Sequence, residues 1–138
     1  MNQASLSSRR FGGMARLYGV TGATQIASAH VVIAGIGGVG SWTAEALARC
    51  GVGEITLIDM DHIAESDINR QIHALENTLG QAKVLAMKER IAQINPECHV
   101  HVVDNFVTPE NWLQLATDAN CVPPHFAKVS AVIESLGA

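Results

Sequence analysis

Aromatic residues are scarce in this sequence, and no hydrophobic run is long. Phe, Trp and Tyr together make up 4% of the 138 residues, so a packed core must consist mainly of Val, Ile, Leu and Ala. No apolar run approaches the ~20 residues that a membrane-spanning helix needs, which argues against a membrane protein. Because 48% of the residues are nevertheless hydrophobic, the composition suits one folded domain rather than a disordered chain.

Cysteine and basic residues are also few. The three cysteines, Cys50, Cys98 and Cys121, have no CxxC spacing and cannot all pair with one another, which favours a reduced, cytoplasmic setting. Ser8-Arg9-Arg10-Phe11 is similar to a twin-arginine export signal, but the glycine-rich segment after it lacks the apolar stretch that export requires. Nine Lys and Arg against 13 Asp and Glu give a net charge of -4, so any contact with RNA must be local or must come from parts that are not present in this chain.

Short apolar runs alternate with helical patterns along most of the chain. Residues 1–30 predict a polar N-terminal arm with a short helix near 24–29, and residues 31–138 predict a nucleotide-binding domain. Strands are expected at 31–34, 54–59, 98–103 and 129–133, and helices at 41–50, at 81–94 and from Pro109 onward. This alternation predicts an α/β fold, with a Rossmann-like, doubly wound, mainly parallel sheet and right-handed crossovers.

A glycine-rich loop follows the first predicted strand. The motif Gly35-Ile36-Gly37-Gly38-Val39-Gly40 leads directly into the predicted helix at 41–50. Glycines allow a tight turn and let a phosphate approach the backbone, while the helix N-terminus offers free amide protons to its oxygens. Asp59, about 20 residues further on at the end of the second strand, is placed to bind ribose hydroxyls. These features predict a nucleotide site and fit NAD and ATP equally.

Two cations bear on which nucleotide binds. Arg70 lies in the run Asp67-Ile68-Asn69-Arg70-Gln71, and Lys83 follows on the next predicted helix. Transfer of a phosphoryl group builds charge on phosphate oxygens that such cations neutralise, whereas a redox enzyme does not need them. The pattern therefore favours ATP over NAD, although periodicity alone leaves open that both are ordinary surface charges.

Other polar and aromatic residues predict less. In Cys98-His99-Val100-His101 the two histidines would share one face of a strand and the cysteine the other, which disfavours a metal site. His73 is interpreted as a loop histidine. Trp42 and Trp112 are expected to pack in the core or against a helix.

Several motifs together resemble a known family. In chain order they are Arg10-Phe11, 15–19, the glycine loop, 58–61, 69–71, 82–83 and 94–96. This combination is similar to the ThiF/MoeB/HesA superfamily, whose fold is shared with ubiquitin-activating enzymes. The runs 70–75, 94–98 and 103–111 resemble the branch called TcdA, the tRNA threonylcarbamoyladenosine dehydratases. The resemblance covers residues 10 to about 113 and so implies the N-terminal half of the family domain.

The resemblance implies an ATP site and the residues that form it. The expected set is Gly35, Gly37, Gly38, Gly40, Asp59, Arg70 and Lys83, with Asn69 and Gln71 beside the site and Mg²⁺ accompanying the phosphates. Arg70 and Lys83 are also expected to act in catalysis. Three residues before Arg70, where the family often has Asn, this sequence has Asp67.

The family also uses an arginine from the N-terminal arm of a partner subunit, which implies a homodimer. Arg16 is our candidate for that catalytic arginine, and Arg10 is the second. The commonest family spacing falls on Gly13 instead. Solvation, or contact with tRNA phosphate, is the alternative role for these arginines.

The implied reaction is ATP-dependent adenylation of a carboxylate, namely cyclisation of threonylcarbamoyladenosine in tRNA with net loss of water. Three alternatives stay open at this point. The first is adenylation of the C-terminus of a sulfur-carrier protein, which would be a sulfur-transfer partner of this protein. The second is an NAD-binding module, and the third is an inactive remnant that binds a nucleotide or a partner.

The last residues depart from the family pattern. Where the family has a metal-binding Asp after its fourth strand, this sequence reads Val132-Ile133-Glu134 followed by four residues. The sequence thus predicts a truncated or degenerate copy with no residue assigned to the metal, and a chain that does not turn over tRNA by itself.

Overall fold

Four parallel strands and the helices between them form the core of the fold. The computed structural model of the chain describes residues 3–105, 108, 110–111 and 131–134. The elements are α1 (Gln3–Ala27), β1 (His30–Ala34), α2 (Gly40–Arg49), β2 (Glu54–Ile58), α3 (Lys83–Ile94), β3 (His99–Val103) and β4 (Ala131–Glu134), with two short 3₁₀ turns at Glu65–Asp67 and Glu76–Thr78. Within these residues, no helix is both long and apolar enough to cross a membrane.

The strand order creates a switch point beside β1. The order is β3-β2-β1-β4, and β1 pairs in parallel with β2 on one side and with β4 on the other. The chain moves outward from β1 through α2, β2 and α3 to β3, whereas β4 lies on the opposite side of β1. In open α/β sheets, ligands bind at the carboxyl ends of strands at such a point. The fold therefore places the candidate site at the end of β1.

The strands form because their short β-branched runs can be buried on both faces. All five residues of β1 and all five of β2 are buried. Apolar residues of α2 and α3 cover one face of the sheet. The core cluster comprises Val31, Ile33, Ile36, Ala44, Ala48, Val52, Ile55, Leu57, Val84, Met87 and Ile91.

The predicted α/β architecture is confirmed, and six elements lie within about two residues of their expected positions, as local signals allow. The helix expected from Pro109 onward, together with Trp112 and Cys121, lies outside the described residues.

The helix predicted near 24–29 overlaps the last part of α1, but the arm before it is helical as well, which the sequence did not predict. The element α1 runs from Gln3 to Ala27, with non-helical backbone at Phe11 and Gly19. Gly19, with φ of +79°, interrupts the helix as glycine permits, whereas Gly12, Gly13 and Gly22 lie in helical turns despite their low helix propensity. The Phe11 ring lies over Gly51, where a β-carbon would be 3.1 Å from the ring. The Arg10 guanidinium donates to the Ile94 carbonyl at 3.0 Å.

A buried carboxylate joins α2 to α3. Glu45 accepts hydrogen bonds from Arg49 Nε at 2.8 Å and from Arg90 Nε at 2.6 Å. Burial by itself raises the pKa of Glu45, but the hydrogen bonds and charges of Arg90 and Arg49 outweigh it and lower the pKa below the ordinary value.

The Glu45 network predicts a stability that depends on pH. Because the folded-state pKa is lowered, the contribution is complete above the unfolded-state pKa and is lost as pH falls through the folded-state value. At pH 7 we expect Glu45→Gln to lower the free energy of unfolding by about 1–2 kcal/mol. The difference from wild type should shrink in urea titrations repeated toward pH 3.

Glu89→Gln is the matched control, because Glu89 is an exposed glutamate on α3. It should change stability little at any pH. A constant cost of Glu45→Gln from pH 7 to pH 3 would contradict the assignment of this ion pair.

Candidate nucleotide site

The glycine loop turns sharply between β1 and α2. Gly35 has φ of +94°, a conformation that favours glycine, and its amide donates to the Ile58 carbonyl at 2.8 Å. The Gly37 carbonyl accepts from the Ser41 hydroxyl at 2.6 Å. Gly40 is buried as the first residue of α2. Hydrogen bonds to Ile58 and Ser41 thus hold the backbone of the loop, while Gly37 and Gly38 remain half-buried.

Asp59 lies against the same loop. One carboxylate oxygen accepts the Ile36 amide proton at 2.8 Å, and the other accepts the Asp61 amide proton at 2.8 Å. Each oxygen has a further lone pair for a hydroxyl group. Asp59 therefore holds the loop, a role that sequence reasoning did not anticipate, and it retains capacity for the proposed contact with ribose.

Arg70 lies over the glycine loop. A β-carbon at Gly38 would be 3.6 Å from the Arg70 side chain, so glycine at this position leaves room for it. The guanidinium donates to the Ser66 carbonyl at 2.9 Å and to Asn69 Oδ1 at 3.2 Å. Because 54% of the Arg70 side chain is exposed, the guanidinium can still reach a ligand.

Lys83 is buried rather than a surface charge. Only 9% of its side chain is exposed, and its ammonium lies 3.7 Å from Asp67 Oδ2. Its amide donates to the Asp61 carbonyl at 3.0 Å, which fixes the start of α3 beside the end of β2. A buried ammonium is stable only with a partner, so Asp67 determines where this charge lies.

Asp67 organises this cluster. Its carboxylate accepts from the Ala64 amide at 2.9 Å and from Gln71 Nε2 at 3.0 Å. It also lies 3.8 Å from an Arg70 nitrogen, in addition to its ion pair with Lys83. One buried acid thus joins three of the residues predicted for the site. In sequence its only signal is its departure from Asn, the usual family residue.

Two further residues had structural roles that the sequence did not predict. His73 is buried, 2% exposed, and its Nε2 lies 2.8 Å from the Ile36 carbonyl oxygen in the glycine loop. Of the two placements expected for Trp42, in the core or against a helix, the core is excluded: Trp42 is 52% exposed, and its Nε1 donates to the Arg70 carbonyl at 2.8 Å. This tryptophan in the first turn of α2 therefore supports, from outside the core, the segment that carries Arg70.

Arg16 is not brought to the glycine loop of its own chain. It is exposed on α1, and its guanidinium lies beside Gly12 and Gly13 of the same helix. Within the described residues it has no hydrogen bond or ion pair, whereas Arg10 is already bonded to Ile94.

The histidines of the strands contact β2 rather than the glycine loop. His101 Nε2 lies 2.7 Å from a Glu54 carboxylate oxygen, and His30 Nε2 lies 2.7 Å from the Thr56 hydroxyl. Among the described residues, no cluster of three or more His, Cys, Asp or Glu could hold a metal ion. Burial and the charge of Glu54 raise the pKa of Cys98 to about 12, so this thiol stays protonated.

Comparison with known proteins decides the family. A profile described as the ThiF family matches residues 11–124. The chain belongs to the ThiF family. The superfamily resemblance that the motifs carried is confirmed by this match.

Two curated relatives of this ThiF-family chain are bacterial. It is 61% identical over 106 residues to the tRNA threonylcarbamoyladenosine dehydratase of Escherichia coli strain K12, covering 77% of this chain and 40% of that protein. It is 44% identical over 120 residues to the protein of the same name from Bacillus subtilis strain 168, covering 80% and 47%. The chain thus spans less than half the length of the curated relatives it matches.

A solved structure confirms the fold of the ThiF-family chain. The crystal structure of the E. coli enzyme TcdA in complex with ATP aligns with a TM-score of 0.87 at 49% identity, covering 100% of this chain and 53% of that one. The Rossmann-like fold predicted from the sequence is therefore the fold of these relatives.

Proposed function

We propose that this chain forms the ATP site of an enzyme that adenylates a carboxylate, and that this carboxylate belongs to threonylcarbamoyladenosine in tRNA. The observation that carries the proposal is a pair of cations, one over the glycine loop and the other joined to it through a shared buried carboxylate, Asp67. Arg70 lies against Gly38, and Lys83 is held on buried Asp67. The names of the E. coli and B. subtilis relatives, and the ATP in the E. coli crystal structure, support the same reaction.

The preference for ATP follows from charge. In the proposed site the loop amides and the N-terminus of α2 bind phosphate oxygens, and Asp59 binds the ribose. Arg70 and Lys83 neutralise the charge that develops on the phosphoryl group, with Asn69 and Gln71 beside them. A dinucleotide cofactor that transfers hydride needs no such pair of cations, which makes an NAD-binding module the weaker alternative.

The proposed reaction has two steps. A carboxylate oxygen of the substrate attacks the α-phosphorus, the bond to the β-phosphate oxygen breaks, and pyrophosphate leaves. The acyl-adenylate then closes on itself: a nucleophilic group of the same side chain attacks the activated carbonyl and loses its proton, and the bond from that carbonyl to the AMP oxygen breaks as AMP leaves. The net change is loss of water from the substrate, coupled to conversion of ATP into AMP and pyrophosphate.

Mg²⁺ is expected to accompany the phosphates, since it commonly binds through phosphates and one or two carboxylates. The described residues offer no group of three or more ligands for it. We therefore assign no residue of this chain to the metal.

A homodimer and a cytoplasmic location are part of the proposal. Arg16 is exposed on α1, where it is available to a second subunit. An arginine supplied in trans would complete the site only when the dimer forms. Arg10 is the weaker candidate, because its guanidinium is bonded to its own domain.

Binding of nucleotides tests the first part of the proposal. A ligand that binds the native state raises the melting temperature, so ATP and AMP should stabilise the 138-residue chain more than NAD does at equal concentration. Differential scanning fluorimetry measures this directly. A shift with NAD and none with ATP or AMP would overturn the assignment of the nucleotide.

The substrate is tested with tRNA that carries threonylcarbamoyladenosine, incubated with ATP and Mg²⁺ and digested for mass spectrometry of nucleosides. A full-length relative is the positive control. The cyclic nucleoside, formed only with ATP, supports the dehydratase. Consumption of ATP with a sulfur-carrier protein in place of tRNA favours the carrier alternative. Binding of ATP by this chain without either reaction favours a nucleotide-binding remnant.

A further inference from the structure

The peptide on each side of Ile36 is held by a different side chain. The Ile36 amide proton is accepted by Asp59 Oδ2 at 2.8 Å, and the Ile36 carbonyl oxygen lies 2.8 Å from His73 Nε2. Asp59 comes from the end of β2, and His73 comes from the segment that also carries Arg70. The middle of the glycine loop thus has two anchors from separate parts of the chain.

The contact with Ile36 determines which ring nitrogen of His73 carries the proton. A carbonyl oxygen only accepts hydrogen bonds, so Nε2 must be the donor. Among the described residues, the buried Nδ1 has no hydrogen-bond partner. Burial lowers the pKa of His73, and the charge of Lys83 lowers it further against the opposing hydrogen bond to Ile36. The ring is therefore neutral at pH 7, with its proton on Nε2.

Fixing the Ile36 carbonyl also fixes the amide of the next residue. In a trans peptide the C=O and the following N–H point in opposite directions. The Ile36 oxygen points into the protein toward buried His73, so the Gly37 N–H points away from it. Glycines make such a loop conformationally free, and an anchored carbonyl restricts it.

We propose that His73 is a positioning residue for the phosphates: by holding the Ile36 carbonyl, it directs the Gly37 amide proton toward the phosphate of the bound nucleotide. This inference rests on the proposed function. His73 is itself held in place, since its own carbonyl accepts the Thr78 hydroxyl at 2.6 Å. The segment that positions Arg70 therefore also positions the glycine loop.

Two variants of the 138-residue chain separate the hydrogen bond from the packing. His73→Leu has similar bulk and no donor, whereas His73→Gln keeps an N–H at the same number of bonds from the backbone as Nε2. Isothermal titration would use ATP and adenosine, which lacks phosphate. We expect His73→Leu to lose about tenfold in ATP affinity and less than about twofold in adenosine affinity. His73→Gln should recover most of the loss.

Equal losses for ATP and adenosine in His73→Leu, or no loss for ATP, would overturn the inference, because His73 would then serve only packing. A second measurement needs no nucleotide: the ¹⁵N NMR spectrum of the histidine rings in the wild-type chain shows which ring nitrogen of His73 carries the proton. A proton on Nε2 of His73 supports the inference, and a proton on Nδ1 overturns it. If wild type binds no ATP but carries the proton on Nε2, the proposed function fails while the loop anchor stands.

Discussion

Lys83→Met is expected to weaken ATP binding roughly 10- to 100-fold, measured by isothermal titration at pH 7. The Lys83 ammonium is buried against Asp67, the carboxylate that also lies 3.8 Å from Arg70, and a charge-assisted contact with phosphate is stronger from a buried group than at the surface. Methionine keeps much of the side-chain volume and removes the charge. The affinity for AMP should fall less than the affinity for ATP, because AMP carries fewer phosphate charges.

The matched control is Lys88→Met, since Lys88 is an exposed lysine on the same helix, α3. It should change ATP affinity by less than about twofold. If Lys83→Met and Lys88→Met bind ATP equally well, Lys83 is only the structural partner of Asp67. The proposed catalytic role of Lys83 would then have to be abandoned.

Asp67→Ala is expected to lower the free energy of unfolding by about 3 kcal/mol, because it leaves the buried ammonium of Lys83 without its carboxylate. It also removes the acceptor of the Ala64 amide and of the Gln71 side chain. Urea denaturation at pH 7 measures the change. Asp67→Asn should cost less, since its oxygen can still accept the Ala64 amide proton.

A double-mutant cycle identifies the cause of the loss. In Asp67→Ala combined with Lys83→Met no buried charge is left unpaired, so the double variant should be more stable than the sum of the two single changes predicts. Asp61→Ala, which removes an exposed acid of the same loop, should have little effect. Strict additivity in the cycle would mean that Asp67 and Lys83 do not stabilise each other.

The elements of the fold could be predicted because their signals are local. The run before Gly35 is apolar and β-branched, and the glycines that follow restrict the chain to a turn. The spacing of apolar residues in α3 defines one helical face. Each signal depends on residues within a few positions of each other, so the approximate bounds of the elements follow without knowledge of the rest of the chain. The parallel direction of the strands follows instead from the alternation of strands and helices along the chain.

The N-terminal helix and Trp42 show where local signals fail. Glycines in the first 22 residues argue against a helix, yet Phe11 packs over Gly51 and Arg10 caps Ile94. Trp42 is an aromatic residue in an apolar chain, yet it lies outside the core and bonds a carbonyl 28 positions away. In both cases a contact distant in sequence outweighs a local preference.

The sequence by itself determined the Rossmann-like architecture, the position of the glycine loop and the residue types on which the proposed preference for ATP rests. Only the tertiary structure decided that Lys83 is buried, that Asp67 joins it to Arg70 and Gln71, and that His73 holds a carbonyl 37 positions away. The physical reason is that burial and ion pairing depend on which segments meet in space. An ionisable side chain in a loop has the same sequence signature whether it is solvated or enclosed.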